Sequence, residues 1–171
     1  DDSGGDALAD TQAGRFARLA AQAARKGLEP VTLLALLKHP LLRLQAAPGA
    51  HNSAIAALER SILRGPRPRP GSTGLTHAFE TFRSTRDTMH RSDPRWLIAP
   101  EQLDAAADLI ARLAAALAPL ETLKAGDHAL ASLAECHRAA IDALGKDADG
   151  KIAALAGHDG SVLADALEQL M

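Results

Sequence analysis

The stretch PEQLDAAADLIARLAAALAP, residues 100–119, decides the fold class of this chain. Its apolar side chains recur at intervals of three and four, a spacing that places them on one face of an α-helix. They are Leu103, Ala106, Ile110, Leu113 and Leu117. Pro100 suits the first turn of a helix, and Pro119 predicts a kink or a restart. The stretch therefore predicts one long amphipathic helix.

The composition extends this prediction to the whole chain. Alanine and leucine dominate the 171 residues, tyrosine is absent, and valine occurs only at Val31 and Val162. Alanine and leucine favour helices, whereas strands are enriched in β-branched and aromatic residues. We therefore predict an all-α fold, a single domain over residues 1–171 with seven or eight helices around one core.

Prolines, glycines and capping residues mark the expected boundaries of these helices. Helices are predicted over about 12–26 after the cap Thr11, from Pro30 to Pro40, and over about 53–64, 75–90, 100–119, 127–144, 148–156 and 161–170, with Asp127 as a further cap. Residues 1–10 are predicted as a lead-in loop, 65–74 (GPRPRPGSTG) as an extended Arg/Pro loop, and 157–160 as a turn. Trp96 is expected to fill the core.

The charge is distributed unevenly along the chain. Residues 60–95 hold eight arginines and three acidic residues, so this segment carries +5, while the whole chain carries -2. Such a segment is typical of a surface that faces phosphate groups. The candidate DNA contacts are Arg67, Arg69, Arg83, Arg86, Arg91 and Arg95. A contact with an acidic protein surface, or a solvated basic face, remains an alternative.

No motif predicts catalysis by this chain. It lacks the glycine-rich phosphate loop of nucleotide hydrolases and the clustered carboxylates of a metal-dependent nuclease. Cys136 and His137 are adjacent, which suits a shared zinc ion badly, and His137 is interpreted as a hydrogen-bonded core or interface histidine. The pairs His77/Glu80 and Asp87/His90 are interpreted as solvated rather than as di-iron ligands. We predict no catalytic residue, metal or cofactor.

The expected location is the cytoplasm. The sequence shows no secretory signal segment, and its longest apolar stretch is interrupted by Arg112 and Pro119, so no membrane contact is predicted. A single cysteine fits a reducing compartment. The first residues, DDSGGD, include no initiator methionine, so we expect an internal domain excised from a longer protein.

Five stretches resemble the AddB family, the helicase-nuclease B subunits of bacterial double-strand break repair, in their alphaproteobacterial form. They are LADTQAGRF (8–16), PVTLLALLKHPL (30–41), ALERSILRGPRPRPG (57–71), LAECHRAAIDAL (133–144) and AGHDGSVLADAL (156–167), and together they extend over nearly the whole chain. Gln12 departs from the proline of the family pattern. The LLKHPL and LRGPRP motifs are the most specific of these similarities.

The resemblance implies a helical accessory insertion, comparable to the 2B region of superfamily 1 helicases. Such a domain would contribute to the DNA channel or to the subunit interface of a machine that resects broken duplex ends. Its partners would be an AddA-like motor subunit, double-stranded DNA ends and the rest of the parent chain. No ATP or nuclease motif of the family matches a position here, so the resemblance implies no catalytic residue. A free-standing α-helical protein-interaction module with no DNA role is the alternative.

Overall fold

The computed structural model describes residues 7–123 and 126–171, and these ranges contain seven α-helices and no β-strand. The helices are α1 (Gln12–Arg25), α2 (Pro30–Leu37), α3 (Asn52–Leu58), α4 (Gly71–Thr85), α5 (Pro100–Glu121), α6 (Leu130–Gly145) and α7 (Gly157–Glu168). Short 3-10 turns lie at Leu8–Asp10, Arg86–Thr88, Pro94–Leu97 and Ala153–Leu155, and a π-helical turn lies at Glu59–Leu63. The prediction of an all-α single domain is confirmed.

Helix α5 lies at the centre of the bundle. It packs against α1, α3, α4 and α6, and the five apolar residues predicted from its spacing are all buried. Leu109 and Ala116 widen this buried face, so α5 presents apolar side chains to several neighbours. The helix does not restart at Pro119 but continues to Glu121. This proline lies in the last turn, where little helix remains for it to disrupt.

The beginning of α1 follows the predicted capping chemistry. The Thr11 hydroxyl accepts a hydrogen bond from the Gly14 amide at 3.1 Å and donates one to the Leu8 carbonyl at 2.8 Å. The second bond holds the turn Leu8–Asp10 against α1, so the predicted lead-in loop over residues 1–10 is wrong at this end. Residues 1–6 of that loop lie outside the described residues.

The predicted Arg/Pro loop over residues 65–74 is too long, because α4 already begins at Gly71. The Glu121 carboxylate, at the end of α5, accepts a hydrogen bond from the Ser72 amide at 3.0 Å and another from the Ser72 hydroxyl. A carboxylate at a helix N-terminus satisfies free amides and favours the helix dipole. This stabilising group comes from 49 residues away, where the local pattern gave no sign of it.

Four further predictions are wrong, three of them in the last third of the chain. Asp127 does not cap α6, which begins at Leu130 after Ala129. The predicted helix over residues 148–156 is only the 3-10 turn Ala153–Leu155, and the predicted turn over 157–160 is the first turn of α7. Gly160 permits this arrangement, because a Cβ there would overlap the backbone of Leu155. Trp96 is half-buried, and Ile98 fills the core in its place.

The connection between α2 and α3 is held by the far end of α6. The amides of Arg43 and Leu44 donate to the Leu144 carbonyl at 2.9 and 3.1 Å, and the Gln45 amide donates to the Lys146 carbonyl at 2.7 Å. Leu44 and Gln45 have φ values of 47° and 62°, the left-handed region that side chains rarely adopt. These hydrogen bonds satisfy carbonyls at the C-terminus of α6 and offset the strain.

Among the described residues, no helix is both long enough and apolar enough to span a bilayer.

Candidate nucleic-acid interface

The six arginines predicted to contact DNA lie on three parts of the fold. Arg67 and Arg69 lie on the loop before α4, and Arg83 lies on α4 itself. The remaining three, Arg86, Arg91 and Arg95, lie between α4 and α5. Their surroundings differ enough to separate arginines that are free to bind an anion from arginines that the fold already uses.

Arg86 holds the α4–α5 connector together and is half-buried. Its Nη2 donates to the carbonyls of Trp96 and Ile98 at 3.1 and 2.8 Å, and its guanidinium lies 5.9 Å from the centre of the Trp96 ring. Its Nε is buried without a hydrogen-bond partner. A guanidinium engaged in this way has fewer donors left for a phosphate in solvent, and the contact between Arg86 and DNA stays a prediction.

Arg83 and Arg95 are neutralised by neighbouring carboxylates. Arg83 Nη2 lies 2.7 Å from Asp104 Oδ1 on α5. Arg95 makes a forked contact with Asp93, with Nη2 2.7 Å from Oδ2 and Nε 3.0 Å from Oδ1. Hydrogen bonds from the Arg95 side chain and backbone lower the pKa of Asp93 to about 2, and that carboxylate raises the pKa of Arg95. Each of these two ion pairs is neutral as a whole, although each guanidinium keeps N–H donors that its carboxylate does not use.

Three of the predicted arginines, Arg67, Arg69 and Arg91, are exposed and have no acidic partner among the described residues. Arg67 Nη2 donates to the backbone carbonyl of Lys26 at 3.0 Å, at the end of α1. Arg91 lies 5.8 Å from the centre of the Trp96 ring. Because Arg67 contacts a carbonyl rather than a carboxylate, its charge is not cancelled.

Helix α1 supplies cations that were not among the predicted DNA contacts. Arg15, Arg18 and Arg25 are exposed on one face of α1, which contains no acidic residue. The contact between Arg67 and Lys26 brings the Arg/Pro loop to the end of that face. We call the resulting set the α1 basic surface, which comprises Arg15, Arg18, Arg25, Lys26 and Arg67.

Among the residues that the structure describes, only weak interactions oppose this charge. Lys26 Nζ lies 3.8 Å from Glu29 Oε2, so this carboxylate offsets part of the lysine's charge, and surface ion pairs of this kind are weak. Arg15 lies near His39, whose pKa is lowered mainly by burial and further by this arginine. The basic face of α1 could have been predicted from the sequence. The helix carries three arginines on one face and contains no acidic residue that could pair with them.

The carboxylates, histidines and cysteine do not form a metal site in the described part of the chain. No three of these side chains lie close enough together there to hold a metal ion. His137 Nε2 lies 2.8 Å from the carbonyl of Ala17, which agrees with its interpretation as a hydrogen-bonded histidine. His77 and Glu80 are both exposed on α4. The candidate binding residues in the described part of the chain are therefore the arginines and lysines.

No protein-family model, curated protein or solved structure matches this chain. The resemblance to the AddB family stays a prediction.

Proposed function

We propose that this chain is a non-catalytic helical domain of an AddB-like subunit in double-strand break repair, and that its α1 basic surface contacts DNA phosphates. In this proposal the domain corresponds to a 2B-like insertion of a cytoplasmic helicase-nuclease. The rest of the parent chain and an AddA-like motor subunit would surround it at duplex ends. The α1 basic surface is the observation that supports the DNA role, since it concentrates positive charge on a chain whose overall charge is -2.

The dimensions of the α1 basic surface suit a DNA backbone. With a rise of about 1.5 Å per residue, the ten steps from Arg15 to Arg25 extend over roughly 15 Å. One strand of B-DNA presents roughly four phosphates over that length. Arginine and lysine contacts of this kind are independent of sequence and position a protein on the duplex. The surface is therefore suited to guiding DNA rather than to reading its bases.

The test compares duplex binding by the intact chain and by two matched double variants over a range of salt concentrations. Arg18→Gln with Arg25→Gln removes two charges from the α1 basic surface. Lys146→Gln with Lys151→Gln removes two exposed charges from the α6–α7 connection. Each lost phosphate contact should reduce the slope of log K against log salt by about 0.9, so the first variant should lose about 1.8 and the second nothing.

Two results would contradict the proposal. If the intact chain does not bind duplex at low salt, the α1 basic surface does not serve DNA, and an acidic protein becomes the better partner. If both double variants reduce the slope equally, binding follows total charge rather than this surface.

A further inference from the structure

A second group of arginines surrounds a cleft outside the α1 basic surface. The cleft has a volume of about 420 Å³ and lies between the π-helical turn Glu59–Leu63 and the 3-10 turn Pro94–Leu97. Arg60 and Arg64 lie on one side of it, and Arg95 and Asp93 lie on the other. Pockets of a few hundred cubic ångströms are large enough for a small ligand or for one group of a larger one.

The three guanidinium groups retain unused donors that border this cleft. The Arg60 side chain makes no hydrogen bond or ion pair with any described residue. Arg64 uses Nε and Nη2 on Glu59, and Arg95 uses Nε and Nη2 on Asp93, which leaves Nη1 of each without a partner. Because a guanidinium has five N–H donors, all three side chains can still bind an anion.

The charge of the cleft matches a doubly charged anion. Its lining contains three arginines and one aspartate, which gives +2. Glu59, which pairs with Arg64, is itself also paired with Lys38 at 2.7 Å, so its charge is balanced outside the cleft. A phosphate monoester carries about -1.5 to -2 at neutral pH, whereas a phosphodiester within a strand carries -1.

The backbone around the cleft is shaped by an uncommon element. The Arg64 amide donates to the Glu59 carbonyl at 3.1 Å, a bond between residues five apart that widens the helical turn. Ser61 is buried within this turn and donates to the Leu58 carbonyl at 3.1 Å. Pro66 and Pro94 border the two sides, and proline restricts backbone motion. Single π-helical turns occur frequently at functional sites.

We propose that this cleft binds the terminal phosphate monoester of a DNA strand, with Arg60, Arg64 and Arg95 as its ligands. This inference rests on the proposed function, because the ligand is a broken DNA end. Arg60 contributes a whole guanidinium, and the other two arginines contribute one nitrogen each. The cleft thereby distinguishes a strand end from the interior of a strand, which the α1 basic surface does not.

The test uses three duplexes of one sequence, with a 5′-phosphate, a 3′-phosphate or only hydroxyl groups at their ends. The intact chain should bind one phosphorylated duplex roughly tenfold more tightly than the hydroxyl duplex, the effect of one hydrogen bond to a charged group. Arg60→Gln should remove this preference. Arg69→Gln is the matched control, because Arg69 is also exposed and unpaired but does not border the cleft, and it should leave the preference intact.

A second measurement tests whether the cleft binds phosphate in the absence of DNA. Trp96 is the only tryptophan and lies in the same turn as Arg95, so inorganic phosphate should change its fluorescence in the intact chain and not in Arg60→Gln. Equal binding of all three duplexes would overturn this inference and leave the proposed function standing. No binding of any duplex would overturn both. A preference that survives Arg60→Gln would overturn the assignment to this cleft.

Discussion

Whether an arginine of this chain can bind a phosphate depends on what its guanidinium group already contacts. Arg86 and Arg91 lie only five residues apart, and both lie within 6 Å of the centre of the Trp96 ring. Arg86 also donates to two backbone carbonyls, whereas Arg91 is exposed and makes no hydrogen bond with a described residue. The same residue type therefore serves the fold at one position and faces solvent at the other.

Arg86→Met should destabilise the protein by about 2 kcal/mol, because the carbonyls of Trp96 and Ile98 lose their donor while the apolar stem is kept. Arg91→Met removes the same charge and should change the free energy of unfolding by less than about 0.5 kcal/mol. Urea denaturation of both variants measures the difference. Equal stabilities would show that Arg86 does not hold the connector.

The sequence located the positive charge but not its partners. Counting residues identified the arginine segment, yet the carboxylate that neutralises Arg83 lies on α5, 21 residues away. Only the folded chain brings these two residues together. The arginines of α1 were within reach of sequence analysis, since their shared face and the absence of acids are both local. The predicted DNA contacts were all placed in residues 60–95, where arginines are most frequent, and the arginines of α1 were left out.

At the scale of elements, the glycine near the start of α4 determines how the Arg/Pro loop enters the helix. Gly74 is buried, and a Cβ there would overlap the carbonyl oxygen of Arg69 and lie 2.9 Å from its Cβ. The loop therefore folds back over the first turn of α4. The loop follows the π-helical turn in the chain, and its Arg67 belongs to the α1 basic surface.

Gly74→Ala should destabilise the protein by about 1–3 kcal/mol, because the backbone of Arg69 must move away from the added methyl group. Gly65→Ala is the matched control in the same loop. The nearest atom to a Cβ at Gly65 lies 3.8 Å away and its φ is not left-handed, so its effect should stay within about 0.5 kcal/mol. Thermal unfolding of the two variants compares them, and a stable Gly74→Ala protein would contradict the close packing.

Helix centres were predictable from sequence, and several helix ends were not. Apolar spacing identified α5, and threonine or proline marked the starts of α1 and α2, because those signals are local. The start of α4 depends on Glu121, and the start of α7 depends on close contact at Gly160. Nor does the spacing of Ile55, Leu58 and Ile62 indicate that the last turn widens into a π-helix.

At the scale of the molecule, all seven helices contribute to one hydrophobic core. The same buried cluster includes Phe16 of α1, Leu113 of α5 and Leu163 of α7. A hydrogen bond from His137 to the Ala17 carbonyl also joins α6 to α1 across 120 residues. Within the described residues no part of the bundle has a core of its own.

Unfolding should therefore be a single cooperative transition. Helix content from far-ultraviolet circular dichroism and the fluorescence of Trp96 should change at the same denaturant concentration. Trp96 reports on the α4–α5 connector, whereas circular dichroism averages over all helices. Two separated midpoints would show that the connector, or one group of helices, unfolds independently of the rest.

The hydrogen bonds between residues 43–45 and the end of α6 can form only after both segments have been synthesised. The carbonyl that holds Leu44 belongs to Leu144, about a hundred positions later. At a synthesis rate of roughly 5–20 residues per second, the early segment leaves the ribosome on the order of 5–20 seconds before its partner. During that interval the left-handed backbone of Leu44 and Gln45 has nothing to hold it. We therefore expect residues 43–45 to adopt this conformation only after α6 has been made.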